Sequence, residues 1–423
     1  MFRLPRPVWF LGWVSLATDA ATEAIYPLLP FFLTRVLGAT AVSLGIVEGA
    51  AEAVNSVVKI GSGRLADRSR SKRPLVLLGY SVSSIARPFI AITTSWPQVF
   101  CVRVLDRVGK GVRSAPRDAM LAAWSTPTTR GKVYGFHRGM DHLGAVIGPA
   151  LASAFLYFYP DHYRMLFALT IIPGAIAVAL IFLVDEPQPT PHLAADATDG
   201  ERTPSPAAPA SPSAPASGSS SPYGLAGVSP TVSATPLPRE FTAFMLVLSL
   251  FMLGNSTDAF LLLKLTDVAG SARWIPLMWA ALHVVKATVS VVGGSWSDRI
   301  GRRAVIAIGW LVYAAVYAGF ALSATLPSLL TWFLLYGFYF GFAEGTEKAL
   351  VADLAPADRR GFAFGIYNAV QGLGMLTASV VFGLIWKALG TGAAFGLGGA
   401  LTLAATALLF VLVRPAPQTR PLL

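Results

Sequence analysis

Charge is scarce in this sequence. Asp, Glu, Lys and Arg make up only 13% of its 423 residues, whereas soluble domains carry about 25%. Hydrophobic residues account for 54% of the chain, and many stand in runs of about 20, the length that crosses a bilayer as a helix. The shortage of charge excludes an ordinary soluble domain and predicts an all-α membrane protein with many spans.

Cysteine and the sequence motifs of enzymes are also scarce. Cys101 is the single cysteine, which excludes an intramolecular disulfide and a cluster of thiolate metal ligands. The sequence has no nucleophile elbow, no phosphate-binding glycine loop and no His-Glu-x-x-His pattern. His137 and Asp141 have a spacing that could hold a metal, but no third ligand is evident and Arg138 would repel a cation. We therefore expect neither an enzyme nor an ATP-driven pump, and no metal or other cofactor.

The apolar runs number twelve, six on each side of a polar stretch. They begin near Val8, Thr40, Pro74, Pro97, Gly131, Tyr163, Phe241, Trp274, Ala304, Ser328, Gly361 and Ala393. The polar stretch is rich in Pro, Ser and Ala and has too few large apolar side chains to fold. We predict an N-terminal six-helix bundle at 1–185, a disordered cytoplasmic linker at 186–239 and a C-terminal six-helix bundle at 240–423.

The net charge of +11 could indicate a nucleic-acid partner, but the basic residues fall on alternate connections between the apolar runs, as cytoplasmic loops do. We therefore expect no nucleic-acid binding. The first run holds Asp19 and Glu23 and continues to Leu37, which predicts an uncleaved helix rather than a signal peptide. The expected location is the inner membrane, crossed many times, with both termini in the cytoplasm.

Seven ionisable side chains lie within the fourth apolar segment: Arg103, Asp106, Arg107, Lys110, Arg113, Arg117 and Asp118. On a helix that turns about 100° per residue, they project within an arc of about 140°. A charge facing lipid at the bilayer centre costs at least about 2.5 kcal/mol. This face therefore points towards water, a partner charge or a substrate.

Other helices carry polar stripes as well. A carboxylate near the membrane midplane can exchange a proton, because burial favours its neutral form whereas a nearby arginine favours its ionised form. The residues that we predict to couple protons are Asp19, Glu52, Asp141, His137, Glu23 and Glu48. Those that we predict to bind substrate are Arg103, Arg107, Lys110, Asp258, His283 and Gln371.

The two halves repeat each other at a shift of about 230 residues. GRLADR at 63–68 matches GSWSDR at 294–299, and RGKVYG at 130–135 matches RGFAFG at 360–365. Parallel repeats of this kind predict a pseudo-two-fold axis along the membrane normal, with a binding site between the halves near the midplane.

The loop GSWSDRIGRR at 294–303 resembles the cytoplasmic loop pattern of the major facilitator superfamily, Gly-x-x-x-Asp-Arg-x-Gly-Arg-Arg. The first-half copy at 63–73 lacks the second glycine of that pattern and has one extra residue. The spacing of Gly144, Gly148 and Pro149 is similar to the superfamily's antiporter motif on helix five. The resemblance implies that a set of residues takes part in gating: Asp67, Arg68, Asp298, Arg299, Gly144, Gly148 and Pro149.

Arg103 stands where the superfamily has its fourth-helix arginine, although this helix is more charged than usual. Together with GFHRGMDHLGAVIGP at 135–149, it resembles a bacterial and archaeal branch whose substrates are mostly unassigned. The resemblance implies the major facilitator fold and secondary active transport.

Three functions remain open. The first is a proton-coupled antiporter that exports small organic compounds by alternating access, which the helix-five spacing favours. The second is an importer, a symporter of an organic anion or metabolite, which the cationic face of helix four favours. The third is a membrane sensor or scaffold without transport, which should carry a further folded domain. The expected partners are a small-molecule substrate, protons and the lipid bilayer, and we expect a monomer.

Deleting most of residues 190–235 should leave a folded protein that still transports, because each bundle is predicted to bury its own apolar faces. Limited proteolysis of the full chain should cut within this stretch and leave two halves that purify together. Halves that separate or aggregate after cleavage would contradict the predicted division.

Overall fold

The computed structural model describes residues 4–69, 71–125, 130–185, 237–356 and 359–413, without the side chains of a few residues inside helices. These residues form helices, and no strand occurs among them. Residues 186–236 of the predicted linker lie outside the described ranges, so the division into domains stays a prediction.

The described part of the first half contains seven helices of seven residues or more. They are α1 (Arg6–Ile25), α2 (Ala41–Arg68), α3 (Arg73–Ala86), α4 (Trp96–Ala123), α5 (Arg130–Phe158), α6 (Tyr163–Leu169) and α7 (Ile171–Ile181). Prolines occupy the first turn of α1, α3 and α4, where a missing N–H costs nothing. Beyond α1 the chain continues through short 3₁₀, α and π turns, Tyr26–Leu28, Leu29–Phe31 and Phe32–Val36, because Pro27 and Pro30 interrupt regular helical bonding.

The described part of the second half contains six helices: α8 (Arg239–Gly254), α9 (Ala259–Ala269), α10 (Ile275–Ile300), α11 (Arg302–Leu322), α12 (Leu326–Leu354) and α13 (Arg360–Leu412). The 53 residues of α13 would extend about 80 Å as one rod, far more than a bilayer needs. The rod is broken at Gly390, where φ is 86° and ψ is 174°, so α13 provides two crossings.

The predicted starts of the twelve apolar runs agree with the described helices to within three residues, counting the break at Gly390 as a start. Eight described segments are long and apolar enough to cross a membrane, and one of them is the double segment Phe362–Leu412. The charge-bearing helices α1 and α4 and the short apolar segment of α10 are not among the eight. The all-α membrane architecture is therefore confirmed, whereas hydropathy alone does not establish all twelve crossings.

Helices α1 and α5 are in backbone contact. A Cβ atom at Gly144 would lie 2.4 Å from the carbonyl oxygen of Leu16, and one at Gly148 would lie 2.2 Å from that of Ala20. Such distances are possible only for glycine, and small residues commonly allow membrane helices to approach so closely. The contact places Asp141 of α5 beside Ser15 of α1, whose hydroxyl donates a hydrogen bond to its carboxylate.

The two halves meet along α2 and α13 and along α5 and α10. A Cβ at Gly45 would lie 2.3 Å from the carbonyl oxygen of Ser379, and the Ser153 hydroxyl donates to the carbonyl of Arg273. Towards the other end of the helices, a Cβ at Gly61 or Gly345 would meet no atom within 4 Å. The described contacts of α2 with α13 thus extend from the end remote from the basic connections as far as Ser56, which lies against Gly372.

Replacing Gly148 by alanine should lower the thermal stability of the purified protein, because the new methyl group would strike the backbone of α1. Gly135→Ala on the same helix is the matched control, since a Cβ there meets nothing within 4 Å and alanine favours the helix by about 1 kcal/mol. Thermal unfolding in detergent measures both variants. Equal stabilities for the two would contradict the described α1–α5 contact.

Candidate functional site

A closed network of ion pairs lies inside the first half. The Nε and Nη2 atoms of Arg103 donate to Oε1 and Oε2 of Glu48 at 3.0 and 2.6 Å. Asp106 lies 3.6 Å from Arg103 and accepts from Nε of Arg87 at 2.9 Å. All four side chains are at most 5% exposed, and their charges sum to zero. Arg103 and Glu48, predicted for substrate binding and proton coupling, are thus bound to each other.

Arg107, one turn further along α4, is only loosely paired. Its Nε lies 3.9 Å from Oε2 of Glu52, and its Nε and Nη1 have no hydrogen-bond partner although the residue is 7% exposed. The Glu52 side chain is 38% exposed and accepts a hydrogen bond from Asn55 at 2.9 Å. In the described part of the chain, Lys110 has no ion-pair partner within 4.0 Å. The cations of α4 that a ligand could still engage are therefore Arg107, Lys110 and Arg113, whose Nε and Nη1 also lack a partner and whose guanidinium carbon lies 4.2 Å from the centroid of the Tyr80 ring.

A second group of carboxylates surrounds the α1–α5 contact. Asp141 accepts from Ser15, and its Oδ2 lies 3.5 Å from Nδ1 of His137 and 3.8 Å from Nη1 of the exposed Arg138. Asp19 of α1 makes no ion pair or hydrogen bond with any residue that the structure describes, and the charges of Asp141 and Lys110 act on it. Asp141 and His137, both predicted to couple protons, thus lie together. Asp19, the third predicted residue in this group, has no partner cation among the described residues.

Glu23 connects the two halves. Its Oε2 accepts a hydrogen bond from Nε1 of Trp279 on α10 at 2.8 Å and lies 3.9 Å from Nε2 of His283. Tyr26, one turn further on, packs its ring against Trp279 with a centroid distance of 5.1 Å. A change in the charge or position of Glu23 therefore alters its contacts with Trp279 and His283 of α10.

The second-half residues form a cluster around Asp258. Its carboxylate accepts from the hydroxyl of Tyr336 at 2.7 Å and lies 3.7 Å from Nζ of Lys286. That ammonium group lies 3.5 Å from the ring centroid of Phe340, which is a cation–π geometry. Both ring nitrogens of His283 are buried without a hydrogen-bond partner. Gln371, the third predicted residue of this half, donates instead to the hydroxyl of Tyr367 at 2.6 Å.

The predicted gating residues are described only in part. Gly144 and Gly148 form the α1–α5 contact, with Pro149 directly after them, and Arg299 is exposed near the end of α10. The side chains of three residues lie outside the described part of the chain: Asp67, Arg68 and Asp298. Their role stays a prediction.

Two features of the site were missed in the sequence. Trp279 precedes His283 and Lys286 by four and seven residues, a helical spacing that could have placed it on the same face. The ion pair between Arg35 and Asp267, 2.5 Å long, joins the end of the first membrane segment to α9, and no local pattern indicated it.

Helices in two halves around a buried polar site define a membrane transporter. The chain matches the Major Facilitator Superfamily over residues 9–285 and 241–422, and it belongs to this family. It is 30% identical over 391 residues to an uncharacterised MFS-type transporter of Methanocaldococcus jannaschii, covering 91% of this chain and 89% of that one.

More distant matches differ in the function that their names state. The multidrug resistance protein MdtH of Salmonella choleraesuis is 25% identical over 384 residues, covering 89% of this chain and 84% of that one. The crystal structure of a D-xylose-proton symporter superposes with a TM-score of 0.69 at 17% identity and covers 97% of both chains. The second likeness shows the shared fold.

Arg103→Gln should destabilise the protein by about 3–5 kcal/mol, because it leaves the buried Glu48 carboxylate without its bidentate partner. Arg107→Gln on the same helix is the matched control and should cost far less, since Arg107 has only one distant acceptor. Chemical or thermal unfolding in detergent compares the two variants. The assignment is wrong if Arg107→Gln is as destabilising as Arg103→Gln.

Proposed function

We propose that this protein is a proton-coupled antiporter that exports small organic compounds, with an anionic or electron-rich group of the substrate bound at Arg107. The observation that carries the proposal is the incomplete pairing of Arg107 and Glu52. A buried guanidinium with two unpartnered N–H groups favours an anionic ligand, and Arg suits a carboxylate better than Lys does.

Competition for Arg107 would provide the exchange. Glu52 is partly exposed, so water can deliver a proton to it. When Glu52 binds a proton, Arg107 loses the only carboxylate that lies within 4.0 Å of it in the described part of the chain, and it becomes available to the substrate. When Glu52 releases the proton, its carboxylate reclaims Arg107 and displaces the substrate. One proton and one substrate molecule thus exclude each other.

Asp19 is the second proposed proton site, and Asp141 is its rival. Asp19 has no partner cation, and the charge of Asp141 acts on it across the α1–α5 contact. The glycines of α5 hold that contact at backbone distance, so rocking of α1 against α5 would change the surroundings of both carboxylates together. Glu23 would carry the same motion to α10 through Trp279.

Export is supported by the multidrug resistance relatives and by the helix-five glycines. Import of an organic anion is the second candidate, and the cationic groups of α4 favour it. We also propose an inner-membrane location, cytoplasmic termini and a monomeric state, in accordance with the charge pattern of the sequence. The predicted sensor or scaffold role finds no support in the site, because a partly paired arginine is more useful for binding a ligand than for holding the fold.

Transport in proteoliposomes should depend on the direction of an imposed pH gradient. A panel of anionic, cationic and neutral aromatic compounds first provides a ligand, read as a rise in the melting temperature of the purified protein. An antiporter should accumulate this ligand in vesicles that are acidic inside, because outward proton flow then drives uptake. Accumulation only in vesicles that are acidic outside would instead support the symporter.

The same assay tests the coupling residues. At least one of Asp19→Asn and Glu52→Gln should lose gradient-driven transport but keep ligand binding, and Asp141→Asn tests the rival site. Arg107→Gln should weaken binding of an anionic ligand and leave the fold intact. Full pH dependence in both Asp19→Asn and Glu52→Gln would refute the assignment.

A further inference from the structure

Glu347 of α12 is a buried carboxylate that the proposed exchange does not use. The residue is 2% exposed. Its Oε1 accepts a hydrogen bond from Nε1 of Trp310 at 2.9 Å, and its Oε2 accepts one from the hydroxyl of Tyr367 at 3.1 Å. Among the described residues, no Lys, Arg or His nitrogen lies within 4.0 Å of it. Only neutral groups thus hold this carboxylate.

No charged group near Glu347 in the described part of the chain pairs with its carboxylate. On α12 itself, Lys348 is the adjacent residue, but its Nζ is paired with Glu344 at 2.9 Å. The hydroxyl of Tyr339, two turns earlier on the same helix, is close enough for the charge of Glu347 to act on it. From the neighbouring helices, α11 contributes Trp310, α13 contributes Tyr367, and α8 contributes Phe251, whose ring stacks on Trp310 at 4.4 Å.

The first half shows how the chain treats a carboxylate that must stay ionised. Asp106 lies between Arg87 and Arg103, and Glu48 accepts two bonds from Arg103. Glu347 is as deeply buried and has no such partner. A buried carboxylate that lacks a cation can shed its charge only by binding a proton.

A chain of hydrogen bonds leads from Glu347 to the contact between the halves. Nε2 of Gln371 donates to Tyr367, which leaves the Tyr367 proton to point at Glu347. Once Glu347 is protonated, one of its oxygens must donate, and Tyr367 is the acceptor within reach. The Tyr367 proton must then turn to Gln371, whose amide can rotate to present its oxygen.

Gln371 stands at the point where the halves touch. A Cβ at the next residue, Gly372, would lie 2.7 Å from Oγ of Ser56 on α2. Ser56 follows Asn55, which donates a hydrogen bond to Glu52. If the hydrogen bonds around Tyr367 reverse, the Gln371 amide turns over beside the contact of α13 with α2. That contact is at Ser56, next to Asn55, which donates the hydrogen bond to Glu52.

We propose that Glu347 is a second proton-binding site of this carrier, and that Tyr367 and Gln371 transmit its protonation state to the contact between α13 and α2. The transmission rests on the proposed function, because it couples this site to Glu52. The proton site itself does not depend on that function and can be tested without a substrate.

Trp310 provides a built-in reporter, because its indole N–H is bonded to the group that titrates. The full-length protein in detergent is titrated between about pH 5 and 9 while tryptophan emission is recorded, and the same titration of Trp310→Phe is subtracted. The difference should contain one step, which Glu347→Gln abolishes and Glu344→Gln retains. An emission of Trp310 that does not titrate, or that titrates equally in Glu347→Gln, overturns the proposal.

A second variant protects the test against misfolding. Tyr367→Phe keeps the carboxylate but removes one of its two donors, so the step should persist with a displaced midpoint. A midpoint that does not move in Tyr367→Phe overturns the assignment of the step to Glu347. Asp19→Asn should leave the step unchanged, so the step can survive even if gradient-driven transport does not occur and the proposed function fails.

Transmission is read at Ser56. In a Cys101→Ala background, Ser56→Cys is labelled with N-ethylmaleimide at pH values on either side of the step, with and without Glu347→Gln. The ratio of labelling rates between the two backgrounds cancels the intrinsic pH dependence of the thiol. The ratio should change at least twofold across the step, and a constant ratio overturns the transmission to α2.

Discussion

A charge inside a bilayer must be neutralised, and the ways in which this chain neutralises its charges organise the whole site. Arg87, Arg103, Asp106 and Glu48 pair with one another at close range, although Nη2 of Arg87 has no hydrogen-bond partner. The network joins α2 and α4 to the 3₁₀ turn Arg87–Ile92 that follows α3. Arg107 and Glu52, one turn away, have the same kinds of groups at a distance that leaves both incomplete. The functional proposals rest on this difference between the close ion pairs of Arg87 and Arg103 and the long one of Arg107.

The two halves use different chemistry in equivalent surroundings. The first half is held by ions, whereas the second half is held by aromatic rings and hydroxyl groups. Tyr313 of α11 stacks on Tyr317 at 4.2 Å and donates to Asn255 at 3.2 Å. The hydrogen bond from Trp279 to Glu23 joins the ionic interior of the first half to the aromatic interior of the second. The aromatic rings of the second half offer flat apolar surface to organic compounds, so a substrate between the halves would meet this surface as well as the ions of the first half.

The sequence predicted the helices well, because apolar runs and their flanking prolines are local signals. It also singled out Gly144 and Gly148 by their spacing, and the structure places both against the backbone of α1. It could not predict which charges pair. Arg103 and Arg107 are one helical turn apart and look alike in the sequence. Only the packing of α4 against α2 determines that Arg103 makes two hydrogen bonds to Glu48, whereas Arg107 lies 3.9 Å from Glu52. The sequence did not single out Glu347, since its lack of a partner cation depends on the packing of four helices.

The exposed ion pair between Arg35 and Asp267 contributes little to the contact between the two halves. It joins the halves at the end where they touch, yet its side chains are 58% and 34% exposed. Pairs this open to water contribute about 0–1 kcal/mol, and salt at about 0.1 M screens charges beyond about 10 Å. The pair therefore adds little to the backbone contacts of α2 with α13 that already join the halves at this end. Salt in the solution that reaches the pair weakens it and leaves those contacts in place, because close packing is not screened.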